Sequence, residues 1–597
     1  MVILGLSAFY HDSAAAIIKD GVIVAAAQQE RFSRIKNDSA FPSDAIIYCL
    51  SEAGIKLDEL DLIGFYDKPL LTFNRLLETY IAHAPSGLPS FIKSIPVWVR
   101  EKIFQKNLIL RGLNDLDLGT INDKVIRFDF HHHSHAASAF YPSPFYDAAV
   151  LVMDGVGEWA TTTTGVGHGK DLKLLKEIKF PHSLGLLYSA FTSYLGFKIN
   201  DGEYKVMGLA PYGEPKYVQT ILDNLIDIKE DSSFNLNMSY FSYCTDLKMT
   251  NARFHRLFGG PSRNASETLT QRHMDIARSI QTVTEDLILK LCINLHKESG
   301  QSNLCIAGGV GLNCVANGRI LRETPFENVW IQPAAGDAGA ALGVALSIFH
   351  AVSDQPRQRS PLLTDDMQGT FLGPKYNNDE IRNTLDQYGA NYIEENDEKL
   401  FSSVALALSE KKIVGWFQGR MEFGPRSLGN RSILGDPRSE KMQKTLNLKI
   451  KYRESFRPFA PAILSDSASK YFELDADSPY MLLTSNVRLE HRHKLSTEES
   501  QKQGLEKLTV ARSTISAVTH VDYSARVQTV HKATNYRFHL LLEYFHNLTG
   551  CPILVNTSFN VRDEPIVCSP SDAYRCFMAT EMDILVINNF MLFKEHQ

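Results

Sequence analysis

The sequence lacks a basic excess, a long apolar run and a basic N-terminal segment. Its 62 Lys and Arg residues stand against 68 Asp and Glu residues, so the formal net charge is −6 over 597 residues. This charge excludes a generally basic protein that coats nucleic acid, although it allows a local basic patch. No apolar run approaches the ~20 residues that a bilayer-spanning helix needs, so no membrane association is expected. Residues 1–5 contain no Lys or Arg, and no signal peptide is predicted.

Cysteine is scarce, and common catalytic signatures are missing. The eight cysteines form no Cys-x-x-Cys pair, which is typical of a reduced, cytoplasmic protein. The sequence contains no Gly-x4-Gly-Lys-[Ser/Thr], no His-Glu-x-x-His and no Gly-x-Ser-x-Gly. The run Gly309-Val310-Gly311 lacks the third glycine of a dinucleotide fingerprint, because Cys314 stands there.

The length of the chain and a local change in its composition predict two large α/β domains. Residues 351–374 include a polar, Pro-containing stretch that is typical of a linker. We therefore expect one domain over 1–350 and a second over 375–597. In the second domain we predict helices at 379–388 and 399–409 and strands at 413–417 and 553–555.

A similar pattern occurs twice in the first domain. Strands are predicted at 2–7, 14–19 and 22–27, the last two joined by Asp20-Gly21 in a hairpin. About 145 residues later, an apolar strand at 148–153 precedes a hairpin of strands 159–166 and 172–178. The repeat indicates an internal duplication, with chance similarity of hairpins as the alternative. A long helix at 275–298, a strand at 304–307 and an Ala-rich helix that follows the Gly-rich turn 335–339 and runs through Leu346 complete the prediction.

The sequence His131-His132-His133-Ser134-His135 is the strongest local signal for a metal site. If a helix starts here, His131 and His135 share a face and can hold one divalent ion. His132 with His135, three residues apart, is the competing pair. Asp154 and Asp337, each beside glycine after an apolar run, are candidate carboxylate ligands.

Three further groups of residues are candidates for binding or catalysis. His11-Asp12 follows the first strand, where a histidine that faces a cleft can act as a general base. Two Gly-rich turns allow backbone N–H groups to approach an anion closely. The predicted nucleotide site of the first domain comprises Lys36, Gly155, Gly157, Gly309, Gly311 and Asn313.

The second domain contains a local excess of cations. Residues 420–457 hold ten Lys and Arg residues against four Asp and Glu residues. Arg426 and Arg431 lie among glycine and proline, and a guanidinium held in a tight loop suits phosphate or carboxylate. A solvated basic face is the alternative, and RNA is the rival ligand, but no aromatic residues are interleaved for stacking on bases.

Together these residues resemble the O-carbamoyltransferase family of the nodulation-factor, cephamycin, tobramycin and saxitoxin pathways. The likeness spans nearly the whole chain. It is carried by the ordered motifs at 9–16, 29–34, 131–138, 153–155, 202–213, 336–339, 419–431, 456–461 and 556–560. One departure is Gln29, which stands where many relatives have a second Glu.

The resemblance implies a duplicated actin/hexokinase-like (ASKHA) first domain and a YrdC-like α/β second domain. In such enzymes the second domain converts carbamoyl phosphate and ATP, with Mg, to carbamoyl-adenylate. The first domain then passes the carbamoyl group to an alcohol. The implied metal is Fe(II), with Mn(II) or Zn(II) as alternatives.

The resemblance also assigns roles to individual residues. It matches His131, His135, Asp154 and Asp337 to the metal ligands and His11, with Asp12 beside it, to the catalytic base. Contacts to carbamoyl phosphate and the adenylate are assigned to Arg426, Lys451, Arg457, Arg526 and Ser558.

The acceptor is a small-molecule alcohol that the sequence does not identify, and segments 65–100 and 229–263 are the expected acceptor-contacting regions. A tRNA-modifying carbamoyl-adenylate transferase is the rival function, although the net charge of −6 argues against an RNA-binding face. No nucleic-acid partner is expected, and a homodimer stays open.

Overall fold

The computed structural model describes residues 1–100, 104–357 and 365–597. The chain forms two compact units, the first made of Met1–Gln29 and Ser39–Ser360, the second of Glu30–Asp38 and Pro361–Gln597. Residues 358–364 of the predicted linker lie outside the described residues, and the linker's first two residues belong to a helix that ends at Val352.

The segment Glu30–Asp38 departs from the expected domain division, because it belongs to the second unit. Arg34 donates to the carbonyl oxygens of Pro565 and Ile566, each at 2.7 Å. Phe32 packs against a small cluster that includes Ile566. Because of these contacts the segment belongs to the second unit. Lys36 therefore lies in the second unit and not in the first, where it was predicted.

The first unit contains two five-stranded sheets and a two-stranded ladder. The strands are β1 (Val2–Ser7), β2 (Ala14–Lys19), β3 (Val22–Gln28), β4 (Leu62–Phe65), β5 (Ile126–Phe128), β6 (Asp147–Met153), β7 (Ala160–His168), β8 (Asp171–Lys179), β9 (Ile226–Ile228), β10 (Phe234–Leu236), β11 (Asn303–Ala307) and β12 (Asn328–Ile331).

The two larger sheets share one topology. Their strand orders are β3-β2-β1-β4-β5 and β8-β7-β6-β11-β12. In each, an antiparallel three-stranded meander is extended by two strands parallel to its first strand. The duplication is therefore confirmed, and the first unit has the actin/hexokinase-like fold.

Local sequence explains the strand hairpin at the start of the chain. Asp20 and Gly21 both have positive φ, 51° and 82°, as a two-residue hairpin turn between right-twisted strands requires. The predicted hairpin between β2 and β3 is confirmed.

The helices of the first unit fill the connections between strands. They are α1 (Ser43–Ala53), α2 (Pro69–His83), α3 (Leu88–Arg100), α4 (Gln105–Asn114), α5 (His131–Phe140), α6 (Leu184–Tyr194), α7 (Glu203–Leu209), α8 (Val218–Asn224), α9 (Ala252–Leu257), α10 (Gln271–Ser299), α11 (Cys314–Glu323) and α12 (Asp337–Val352). Helices α5 and α12 pack backbone against backbone, because a Cβ at Gly343 would lie 1.8 Å from the Ser134 carbonyl oxygen. This close approach holds together the two helices that carry the site.

The second unit is built on one nine-stranded mixed sheet. Its strands are β13 (Ile393–Glu394), β14 (Val414–Phe417), β15 (Arg431–Gly435), β16 (Ala460–Leu464), β17 (Leu483–Asn486), β18 (Ser524–Val530), β19 (Ile553–Ser558), β20 (Ile584–Ile587) and β21 (Phe590–Phe593). The order is β13-β21-β20-β14-β15-β19-β16-β18-β17. The second unit is therefore an α/β domain, as predicted.

The helices of the second unit match the predictions where these were made. They are α13 (Asn378–Gln387), α14 (Asp397–Ser409), α15 (Met442–Thr445), α16 (Ala468–Tyr471), α17 (Thr497–Gln501), α18 (Tyr536–Thr549) and α19 (Pro570–Met578). A single helical turn, Glu30–Ser33, and a π-helical turn, Leu446–Ile450, accompany them.

Two further expectations concern the chain as a whole. Among the described residues, no helix is both long and apolar enough to cross a bilayer. All eight cysteines are buried thiols.

Candidate active site

Helix α5 begins at His131, shortly after the end of β5. Because the helix starts here, His131 and His135 lie one turn apart on the same helical face. The ring nitrogens Nε2 of His131 and His135 lie 3.1 Å apart, one helical turn from each other. The buried Glu158 accepts a hydrogen bond from the His131 backbone N–H at 2.9 Å and so fixes the first turn of the helix.

The competing histidine pair is excluded by the orientation of His132. Its Nδ1 lies 2.7 Å from the Thr163 hydroxyl of β7, so the ring points toward the sheet. Burial and the charge of His131 hold the pKa of His132 well below its ordinary value. His132 is therefore a core histidine.

Two carboxylates complete the cluster with His131 and His135. Asp154 follows β6, and its Oδ2 lies 3.2 Å from His131 Nε2. Asp337 begins α12, and its Oδ1 lies 3.4 Å from His135 Nε2 and 3.8 Å from His131 Nε2. One ligand atom from each of the four residues lies within 4.8 Å of the other three. We call this group the His/Asp cluster.

The second oxygen of Asp337 faces His11. His11 Nε2 lies 3.7 Å from Asp337 Oδ2, and Tyr66 donates its hydroxyl to the same oxygen at 3.2 Å. Asp12, in a left-handed conformation with φ 52°, lies 3.1 Å from His11 Nδ1. Asp12 therefore orients the His11 ring, whose side chain is 39% exposed.

The field of the carboxylates dominates the electrostatics of this site. Burial lowers the pKa of His131, but Asp337 and Asp154 outweigh burial and raise it to about 9. Burial also lowers the pKa of His11, and Asp337 and Asp12 raise it to about 10. The site thus stabilises positive charge, in the form of protons or of a cation.

The donor set fits a divalent first-row metal ion. Ligands at about 2.0–2.2 Å from a common ion lie up to about 4.4 Å apart, so the observed spread needs only small side-chain adjustments. Two imidazoles with two carboxylates suit Fe(II), Mn(II) or Zn(II) better than a thiolate-seeking ion. The four side chains therefore form a candidate metal centre.

Two of the predicted glycines, Gly309 and Gly157, lie against this cluster. Gly309 N–H donates to Asp154 Oδ1 at 2.9 Å, and a Cβ at Gly157 would come within 3.0 Å of His131. Gly155 has open space at its Cβ position, whereas a Cβ at Gly311 would meet Ile306 at 3.2 Å. Asn313 caps α11 by accepting from the Ala316 N–H, so its side chain has a structural role. Nucleotide binding by these turns stays a prediction.

The second unit holds a separate cluster around Lys451. This side chain is 3% exposed, and its Nζ donates to Asn560 Oδ1 at 2.6 Å and to Ser558 Oγ at 3.1 Å. Burial, together with Arg453 and Arg457, holds the pKa of Lys451 well below its ordinary value. Lys36 adds to the same positive field. The predicted pair Lys451 and Ser558 is brought together.

The other predicted residues lie on neighbouring elements. Arg457 lies 3.8 Å from Glu454, and Arg526 lies on β18, separated from β19 by β16. Arg426 lies in the turn before β15. This turn is fixed by Arg31, which donates to the Gly424 carbonyl at 2.8 Å.

Several residues that shape these sites escaped the sequence reasoning. Tyr66 directly follows β4 and Glu158 lies in the loop before β7, but no motif distinguishes either residue. Buried Glu422 accepts from the N–H groups of Leu428 and Asn430 and so shapes the Arg426 turn. Asn560 lies two residues after the predicted Ser558, and this closeness in sequence is the signal that could have indicated its role.

Two family models match this chain almost end to end. The model described as carbamoyltransferase N-terminus matches residues 2–346, and that described as carbamoyltransferase C-terminus matches residues 405–594. The chain belongs to the carbamoyltransferase family. Both the His/Asp cluster and Lys451 fall inside the matched ranges.

Two relatives are similar to this carbamoyltransferase over nearly its whole length. The uncharacterized protein sll1178 of Synechocystis sp. is 59% identical over 599 residues, covering 100% of this chain and 97% of that protein. Nodulation protein NolNO of Sinorhizobium fredii is 35% identical over 592 residues, covering 98% and 79%. Component A of Acidaminococcus fermentans (R)-2-hydroxyglutaryl-CoA dehydratase covers 59% of this chain and 98% of its own at 15% identity and a TM-score of 0.31.

Proposed function

We propose that this carbamoyltransferase is an ATP-dependent O-carbamoyltransferase that acts in two steps. In the second unit, water hydrolyses carbamoyl phosphate to carbamate and phosphate, and the carbamate attacks the α-phosphorus of ATP, bound with Mg, to give carbamoyl-adenylate and pyrophosphate. In the first unit, the carbamoyl group passes to the hydroxyl of a small-molecule acceptor and AMP is released. The observation that carries the proposal is the presence of two chemically different sites, a cation cluster and a His/Asp cluster.

The cation cluster supports the first step. Arg453 and Arg457 repel positive charge on the buried Lys451, and an anion that binds beside Lys451 would relieve this repulsion. Carbamoyl phosphate and ATP are anions of that kind. Because Lys451 is held by Asn560 and Ser558, it is preorganised to meet developing negative charge.

His11 supports the second step. An alcohol is a weak nucleophile, so a positioned base is required to take its proton as the carbamoyl carbon is attacked. Asp12 fixes the His11 ring through Nδ1, which leaves Nε2 for the acceptor hydroxyl. A divalent ion held by the His/Asp cluster would polarise the carbamoyl carbonyl and offset the negative field of Asp337 on His11.

The proposal is tested by following AMP and pyrophosphate after mixing the purified chain with ATP, Mg and carbamoyl phosphate. We expect pyrophosphate to depend on carbamoyl phosphate, and AMP and the carbamoylated acceptor to require an added alcohol as well. ADP as the nucleotide product, or AMP formed equally without carbamoyl phosphate, would contradict the proposal.

A further inference from the structure

The segment Glu30–Asp38 is part of the second unit, although the chain before and after it belongs to the first. Arg31 lies in its single helical turn, Glu30–Ser33, and Arg34 directly follows that turn. Arg31 is buried, and the side chain of Arg34 is 24% exposed. Both guanidinium groups donate to backbone carbonyl oxygens of residues about 390 to 530 positions later in the chain.

Arg34 holds the backbone of the loop that follows β19. Its Nη1 donates to the Ile566 carbonyl oxygen and its Nη2 to the Pro565 carbonyl oxygen, each at 2.7 Å. A planar guanidinium that meets two successive carbonyl groups fixes their direction as well as their position. Its Nε lies 3.7 Å from Asp572 Oδ1, so a carboxylate of the same unit balances the charge.

Further hydrogen bonds connect this loop to Lys451. Asn560 donates its Nδ2 to the carbonyl oxygen of Glu564, the residue before Pro565, at 2.7 Å. The Oδ1 of the same amide accepts from Lys451 Nζ at 2.6 Å. Because both ends of the Asn560 amide are engaged, its orientation is set by the loop that Arg34 holds. The position of the Lys451 amino group therefore depends on Arg34.

Arg31 holds the turn that carries Arg426. Its Nη2 donates to the Gly424 carbonyl oxygen at 2.8 Å, two residues before Arg426. The same turn is joined to β19, because Asn556 donates its Nδ2 to the Ser427 carbonyl oxygen at 3.2 Å. Arg31 therefore fixes the start of a turn whose later part is already held by the sheet.

Phe32, between the two arginines, joins the two held parts of the chain. Its ring packs against the buried side chains of Met421, Ile566 and Cys568. Met421 precedes the turn that carries Arg426, whereas Ile566 and Cys568 lie in the loop after β19. One short segment thus contacts both parts of the second unit that present the predicted anion-binding side chains.

We infer that Arg31 and Arg34 are positioning residues for anion binding at Arg426 and Lys451. Each acts through backbone carbonyl groups and holds one of the two chain segments that carry these cations. Without them, the segments would have to be ordered when the anion binds, and this cost lowers affinity. The inference rests on the proposed function for the identity of the anions, which are carbamoyl phosphate and the phosphates of ATP.

Calorimetric binding of carbamoylphosphonate to the full chain tests the inference. This analogue joins carbon directly to phosphorus and is not hydrolysed. Arg34→Met removes both donors and is expected to weaken binding about fivefold to tenfold. Arg34→Lys keeps the charge and a donor and is expected to stay within about threefold of the unaltered chain.

Arg575→Met supplies the matched control. Arg575 contacts the same carboxylate as Arg34, at 2.7 Å from Asp572 Oδ1, but its side chain is 61% exposed. This variant should bind the analogue within about twofold of the unaltered chain. Unchanged binding in Arg34→Met, equal weakening in Arg575→Met, or no binding by the unaltered chain would overturn the inference.

A double-mutant cycle shows whether Arg34 acts through Asn560. If it does, the double variant Arg34→Met/Asn560→Ala binds carbamoylphosphonate as weakly as Asn560→Ala alone. Losses that multiply in the double variant would show a general loss of structure and overturn the inference. If Arg34→Met does not fold, Arg34→Gln takes its place in the cycle, and the same two outcomes apply.

A pyrophosphate assay separates this inference from the proposed function. If the variants bind carbamoylphosphonate as expected but the chain forms no carbamoyl-phosphate-dependent pyrophosphate, the proposed function fails and the two arginines stand as positioning residues of an anion site. If pyrophosphate is formed and Arg34→Met leaves KM for carbamoyl phosphate unchanged, the inference fails and the proposed function stands.

Discussion

His131 and His135 face each other across one turn of α5 with their Nε2 atoms 3.1 Å apart. Asp154 and Asp337 lie against the same two nitrogens. Four lone-pair donors that converge in this way repel one another unless a proton or a cation lies between them. The relationship therefore predicts a bound metal ion.

The first prediction concerns that ion. We expect about one divalent metal per chain in protein prepared without chelator, and a loss of at least about tenfold in metal affinity in His131→Ala, since one of four ligands is removed. The measurement is elemental analysis after equilibrium dialysis against limiting Fe(II), Mn(II) or Zn(II). His132→Gln is the matched control, because this neighbour faces Thr163 and should keep the metal. Equal metal loss in both variants would contradict the assignment.

The second prediction separates the two steps. Lys451→Met removes the amino group held by Ser558 and Asn560 and is expected to abolish pyrophosphate formation from carbamoyl phosphate and ATP. His11→Ala is expected to leave that formation largely intact and to lower acceptor carbamoylation by about 10²-fold or more. The two products are quantified in parallel by chromatography. If His11→Ala stops adenylate formation as completely as Lys451→Met, His11 is not the base of the transfer step.

The third prediction concerns Lys36, which the structure moves to the second unit. Lys36→Ala is expected to raise KM for carbamoyl phosphate or ATP roughly tenfold, as the loss of one charge-assisted contact of about 1.5 kcal/mol implies. The exposed Lys19→Ala serves as the control and should leave KM unchanged. Unaltered kinetics in Lys36→Ala, with the metal content also unaltered, would remove Lys36 from the anion site.

The fourth prediction is a pH dependence of stability. His350 stacks on Tyr141 at 4.1 Å, and burial together with Arg357 and Lys170 lowers its pKa from 6.5 to about 4. Because the unfolded chain then binds more protons, this site's contribution to stability is present above pH 6.5 and is lost as the pH falls toward 4. The loss from this residue is at most ~3 kcal/mol.

The variant His350→Phe keeps the ring and removes the titration. We expect its unfolding midpoint to fall less between pH 6.5 and 4.5 than that of the unaltered chain, as measured by circular dichroism in urea at several pH values. Parallel curves for the two proteins would show that His350 does not titrate in this range.

The local sequence pattern was sufficient to predict features that depend on a few neighbouring residues, such as a turn or a helix end. Asp20-Gly21 predicted the hairpin, since only a turn with two positive φ angles joins such strands. Gly300, with φ 65°, ends α10 as expected for a left-handed cap. The repeated strand–hairpin pattern predicted the duplicated sheets.

Contacts between residues far apart in the chain determined features that the local sequence pattern left open. The choice between His132 and His131 as partner of His135 followed from the start of α5 and from Thr163 on a strand about 30 residues away. The placement of Glu30–Asp38 depended on carbonyl oxygens of Pro565 and Ile566, more than 500 residues later.

The sequence by itself thus determined the fold class, the two large domains and the residue types that can hold a metal and gather anions, because periodicity, turn residues and local charge are read within a few positions. Only the tertiary structure decided how the rings of His131 and His132 are oriented, which unit holds Lys36, and that Arg75, Phe180 and Tyr243 line one cavity. These outcomes depend on contacts between residues far apart in the chain. Such contacts form only when whole sheets and helices pack, so no local pattern encodes them.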